Sequence, residues 1–73
     1  METTLTILRF IRDYMAIHPW APTLNEIAQG CGFAWGSSVV RHLDRLEAWG
    51  LIVREPGKAR GIGLTEKGLN YPL

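Results

Sequence analysis

Residues 21–33 read Ala21-Pro22-Thr23-Leu24-Asn25-Glu26-Ile27-Ala28-Gln29-Gly30-Cys31-Gly32-Phe33, and this stretch decides the fold. Thr23 and Glu26 have the spacing of a capping box, in which the hydroxyl accepts from the N–H of Glu26 while the carboxylate reaches back to the N–H of Thr23. Pro22 just ahead suits a sharp entry. The helix that follows is short, with Leu24, Ile27, Ala28 and Cys31 facing inward, and Gly30 and Gly32 offer left-handed positions to end it. Phe33 then reads as the apolar plug of a tight turn between two helices.

Toward the N-terminus, residues 5–17 set Leu8, Ile11 and Met15 on one stripe at helical period, with Ile7 and Tyr14 beside it. Thr3 or Thr4 is the expected cap. The helix must stop ahead of Pro19, which pushes the preceding residue out of the α region. His18-Pro19-Trp20-Ala21-Pro22 is therefore a stiff connection.

Toward the C-terminus, a third helix is expected to start between Trp35 and Ser37 and to run to Trp49. Val39, Leu43 and Leu46 fall at i, i+4 and i+7 and define its buried stripe, which turns Ser37, Ser38, Arg41, Asp44 and Arg45 largely outward. Gly50 suits the position just past its end. The period then drops from 3.6 to 2. Leu51 to Arg54 and Gly61 to Leu64 alternate around the turn-forming Glu55-Pro56-Gly57-Lys58-Ala59-Arg60, which predicts a β-hairpin carrying cations. Thr65 to Leu73 has no readable periodicity, and residues 66–73 are expected to form a disordered tail.

The bulk properties fit this reading. A chain of 73 residues is one domain, 1–73, and buries so little surface that nearly every apolar residue must serve one core. The apolar fraction of 47% argues against intrinsic disorder. No apolar run is long enough for a membrane span, and the first residues lack a signal peptide's basic region. One cysteine makes no internal disulfide, so a reducing cytoplasm is the expected compartment. Net charge is +1. Residues 34–73 hold six of the eight lysines and arginines, an asymmetry that matters only if those cations share a face.

Helix, short helix, tight turn, helix and basic hairpin is the layout of a winged helix-turn-helix, mainly α with a two-stranded wing. One α-helix fits the major groove of B-DNA, and the preceding helix braces it. The chain also resembles the N-terminal DNA-binding domain of LexA-type repressors over residues 5–65. The resemblance lies in Phe10-Ile11-Arg12-Asp13-Tyr14, in the run Ala21 to Ala28, and in Gly32-Phe33. It continues through His42-Leu43 and Leu46, Gly50-Leu51-Ile52, and Arg60-Gly61-Ile62 before Leu64. It implies a sequence-specific, double-stranded-DNA-binding transcriptional regulator, a repressor. Members of that family carry a second domain that dimerises and cleaves itself with a serine–lysine pair, and nothing after residue 65 corresponds to it. Trp35-Gly36 replaces the family's Ser-Pro pair, and the outward residues of the third helix differ, so the family's operator does not carry over.

The expected DNA-binding residues are Trp35, Ser37, Ser38, Arg41, Arg45, Arg54, Lys58 and Arg60. Ser37, Ser38 and Arg41 match positions where the family touches base edges, and arginine can bond guanine O6 and N7 together. Arg45, one turn on, and Lys58 and Arg60, flanking the hairpin turn, are expected on phosphates. Arg54 can alternatively pair with Glu55 or Glu47. Trp35 has two readings: packing on a sugar or thymine methyl, or folding back on Phe33. Trp49 reads as core or hairpin support, and Trp20 as a lid on the first helix or part of a dimer surface. His42 reads as a packed, hydrogen-bonded residue. His18 and Cys31 are too few for a metal site, no cofactor is implied, and no catalytic set appears. The competing reading is a winged-helix module that binds a protein. A domain of this size grips DNA weakly alone, so a weak homodimer formed on DNA is the expected assembly.

Overall fold

The computed structural model describes residues 2–73, in the order α1 (Thr3–Ile17), α2 (Leu24–Cys31), α3 (Ser37–Ala48), β1 (Ile52–Arg54), β2 (Ile62–Leu64) and α4 (Glu66–Leu69). The three longer helices pack on one another, and β1 and β2 pair antiparallel with Ile52 opposite Leu64, Val53 opposite Gly63 and Arg54 opposite Ile62. This is the winged helix-turn-helix expected. Among the described residues, no helix is long and apolar enough to cross a membrane.

The core is a single cluster drawn from α1, α2, α3 and β1, with Ile62 and Leu64 of β2 packed against it partly buried. Ile7, Leu8 and Ile11 of α1 meet Ile27 and Ala28 of α2, and Val39, Leu43 and Leu46 of α3 close over them. Leu51 and Ile52, at the start of the hairpin, complete it. All three residues of the α3 stripe are buried, so the helical period fixed which face turns outward. Leu24 departs from expectation: as the first residue of α2 it is solvent-exposed, and it borders a groove instead of the core.

The capping box of α2 is complete, with Glu26 N–H donating to Thr23 Oγ1 at 3.2 Å and Thr23 N–H to Glu26 Oε1 at 2.8 Å. Gly32 ends α2 at φ +81°, the left-handed conformation that favours glycine. Gly30 has a different role from the one expected. It stays helical, and a Cβ there would fall on the Phe10 ring, so it lets α1 and α2 approach closely.

Two other expectations fail at the chain ends. The cap of α1 is Glu2, whose carboxylate accepts from Thr4 N–H at 3.0 Å. Thr4 is fully buried and shares a 2.8 Å hydrogen bond with His42 Nδ1. The tail expected to lack order forms α4, capped by Thr65, whose hydroxyl accepts from Gly68 N–H at 3.0 Å and donates to the Gly50 carbonyl at 2.6 Å. Arg12 Nη1 donates to the Tyr71 carbonyl at 2.8 Å and ties the tail to α1.

Candidate functional site

The first turn of α3 lies beside the start of α2 and the turn of the wing. Between them runs an open groove of about 660 Å³, bordered by Thr23 and Asn25 from α2, Trp35 and Ser37 from the start of α3, and Lys58 from the wing. The sequence places these residues there for local reasons. The capping box starts α2 at Leu24, the glycine turn reverses the chain, and the buried stripe of α3 turns Ser37 to the outside. α3 starts after Gly36 without a side-chain cap, and its first turn is closed by the backbone, with Ser38 N–H donating to the Trp35 carbonyl at 3.1 Å and Val39 N–H to the Gly36 carbonyl at 3.0 Å.

Three of the expected residues, Trp35, Ser37 and Lys58, therefore share one groove. Trp35 is 72% exposed, which overturns the reading that folds it back on Phe33. Phe33 packs against the core and the His42 ring, at 5.6 Å between centroids. Ser38 is half-buried, and Arg41 and Arg45 are exposed further along α3. Among the described residues Arg41 has no carboxylate partner within ion-pair distance. Arg45 lies 3.8 Å from Glu2, a loose, exposed pair.

Two expected DNA contacts are engaged within the molecule: Arg60, expected on a phosphate, and Arg54, for which the alternative pairing with Glu47 is the one seen. Arg54 bonds Asp44, and it bonds Glu47 Oε1 through Nε at 3.0 Å and Nη2 at 2.8 Å; these bonds raise its pKa further. This pins β1 to the outer face of α3. Arg60 Nη1 donates to Glu26 Oε1 at 2.9 Å and to the Ala21 carbonyl at 2.8 Å, and Nη2 donates to Glu26 Oε2 at 3.2 Å. Hydrogen bonds from Arg60, then from Thr23 N–H, lower the Glu26 pKa to about 2. Lys58 pairs with Glu55 at 3.1 Å, but both side chains are more than 60% exposed, and such a pair exchanges readily.

Asn25 and Val40 were missed from sequence. Both border the groove, and Asn25 Oδ1 sits where a Cβ on Gly36 would clash. Val40 follows buried Val39 and reads as apolar filler, and only its place beside Ser37 on the groove marks it. His42 is 8% exposed and hydrogen-bonded, as expected; burial lowers its pKa, with Arg41 and Arg45 adding to the effect. Trp20 donates to the Tyr14 hydroxyl at 3.2 Å and stacks on His18, so it covers the end of α1. Trp49, expected as core or hairpin support, is 42% exposed. Cys31 is half-buried, and burial pushes its thiol pKa up, away from a reactive thiolate.

Comparison with known proteins matches residues 2–61 to the family model described as LexA DNA binding domain. Similar curated proteins include the LexA repressor of Oenococcus oeni, 45% identical over 65 residues, which are 89% of this chain and 31% of that protein. The LexA repressor of Bacillus subtilis is 40% identical over 68 residues, 93% of this chain and 33% of that protein. That of Enterococcus faecalis is 40% identical over 65 residues, 89% and 31% of the two chains. The chain spans about a third of the length of the curated relatives it matches.

Proposed function

Because the chain belongs to the LexA DNA binding domain family, we propose that it binds double-stranded DNA sequence-specifically and serves transcriptional repression. The observation that carries this is the groove where the uncapped start of α3, the start of α2 and Lys58 of the wing meet on one face. In this reading α3 enters the major groove. Arg41 reads a base edge, Ser37 and Ser38 add less selective bonds, and Val40 meets a thymine methyl. Lys58, Arg45 and Asn25 take phosphates, which set register but carry no sequence. Trp35 packs against a sugar at the rim. The activity is binding, without a catalytic step.

Two copies bind together on half-sites about one helical turn apart, or a multiple of it, because one small module buries too little surface to be tight. The test is an anisotropy titration of duplexes selected from a random pool, repeated over a salt series. Sequence preference with a salt-dependent affinity supports the proposal. Salt-insensitive capture of a protein, with no duplex preferred, would favour the alternative module for which exposed Trp35 is the anchor.

A further inference from the structure

Arg54 and Ile52 hold β1 to α3 and the core, but the turn of the wing has little of its own to hold it. β1 and β2 are three residues each, in a sheet of two strands, and an isolated hairpin is marginally stable in water. Residues 55–60 of its turn are all exposed. At their base Glu55 N–H donates to the Gly61 carbonyl at 2.8 Å and Gly61 N–H to the Lys58 carbonyl at 3.2 Å. These bonds shape the turn but do not aim it.

Arg60 can aim it. Its guanidinium forks onto the Glu26 carboxylate, reaches the Ala21 carbonyl, and donates to the Tyr14 hydroxyl at 3.3 Å. Its Cζ also lies 5.9 Å from the Trp20 ring centre. Glu26 is fixed in turn by Thr23 N–H and by the Tyr14 hydroxyl, which donates to it at 3.2 Å. One carboxylate thus joins α1, the start of α2 and the wing, through planar two-point geometry that favours arginine over lysine. Lys58 borders the groove beside Trp35 and Ser37, whereas Arg60 turns away toward the α1–α2 connection.

Resting on the DNA-binding reading above, we propose that Arg60 is a positioning residue that latches the wing to the α2 capping box through Glu26, and does not neutralise a phosphate. Glu26 is then as necessary to wing placement as Arg60. The two roles for Arg60 give opposite signs when the Glu26 charge is removed. A phosphate-binding Arg60 restrained by Glu26 would be released, so binding would tighten and its salt slope would steepen. A latch would loosen, so binding would weaken while the slope, which counts neutralised phosphates, stayed put.

The experiment uses the whole chain with Glu26→Gln, Arg60→Gln and the double variant. Glutamine keeps the capping box, so α2 is preserved. Amide exchange at Glu55 and Gly61 is read in the free protein, and duplex affinity is read over a salt series. Either single variant should exchange roughly fivefold faster at both amides, and the double variant no faster than the singles. Both should bind all duplexes about three- to tenfold more weakly at the parental salt slope. Unchanged exchange in Glu26→Gln overturns the latch, as does tighter binding with a steeper slope. So does a slope reduced by about 1 in Arg60→Gln while Glu26→Gln binds as the parent does. A parent that binds no duplex would refute the DNA reading instead, and the exchange rates would still decide the latch.

Discussion

Replacing Thr4 with valine would measure how firmly α3 is held to α1. Thr4 is fully buried, His42 is 8% exposed, and their hydrogen bond spans 38 residues of sequence at 2.8 Å. Valine has nearly the shape of threonine, so no cavity opens, but the imidazole nitrogen loses its partner out of reach of water. An orphaned buried group costs about 1–3 kcal/mol. In a domain this small, each kcal/mol lowers Tm by roughly 4–8 °C. A loss near 2 kcal/mol therefore lowers Tm by about 8–16 °C. Thr4→Val with His42→Phe removes both polar partners and keeps an aromatic ring against Phe33, so the pair should cost less than the sum of the singles. Burial holds His42 below its ordinary 6.5, helped by Arg41 and Arg45 and opposed by Glu2. Its neutral form is the one that folds. The stability it contributes is whole above pH 6.5 and is lost as pH falls below that toward the folded-state value. Urea and thermal melts at pH 7.5, repeated down to pH 5, would read both effects. A Thr4→Val cost below about 0.5 kcal/mol, or a fully additive double variant, would refute the reasoning.

Arg41→Ala should cost roughly 1–3 kcal/mol on the selected site and relax preference at one base pair, and an unchanged selected sequence would remove Arg41 from readout. Lys58→Ala should weaken binding to all duplexes alike and reduce the salt slope by about 1, so a parental slope would take the wing tip off the phosphates. Glu26, lowered to about 2 chiefly by Arg60, contributes stability that is present above pH 4.5 and lost as pH falls from there toward 2. Glu26→Gln should flatten the acid melt in that window, and superimposable parent and variant curves would count against the pairing.

Local interactions were legible in the sequence and remote ones were not. The capping box joins residues three apart, and the α3 stripe repeats within one helix, so Thr23, Glu26, Val39, Leu43 and Leu46 could be placed by spacing alone. Thr4 looks like a cap from its neighbours, but its hydroxyl belongs to His42, and nothing near Thr4 announces that. Arg60 looks like a free hairpin cation until Glu26, 34 residues away, is brought beside it. Gly30 looks like a helix stop because the Phe10 ring that needs its missing side chain lies on another helix. α4 escaped because four residues cannot display a helical period, although Thr65 three residues before Gly68 carries a capping signal. Within the candidate site, the order Trp35, Ser37, Ser38, Arg41 could be read from the buried stripe. Asn25 could not, because its place on the groove depends on how α2 meets α3.

Where the cations end up bears on how such a domain would hold DNA. Arg54 and Arg60 are engaged by carboxylates, Arg60 by a carbonyl as well, and Arg12 and Lys67 each donate to a backbone carbonyl. On the face of α3 and the wing tip, that leaves Arg41, and Arg45 and Lys58 in loose exposed pairs, to meet a polyanion. With so few phosphates neutralised per copy, non-specific affinity should be low and the salt dependence shallow. Low non-specific affinity has a use: discrimination is the ratio of specific to non-specific binding, and a weak electrostatic background raises it. The deficit in absolute affinity must then come from geometry. Two copies on one duplex, as proposed, would add base contacts without adding much background, and each would position the other at high effective concentration. A rigidly aimed wing favours the same outcome, because a wing already in place loses less conformational freedom when DNA arrives. On the proposed reading, the pairing of Arg54 and Arg60 within the molecule would trade crude attraction for preorganisation, which would suit a domain that selects one sequence among many.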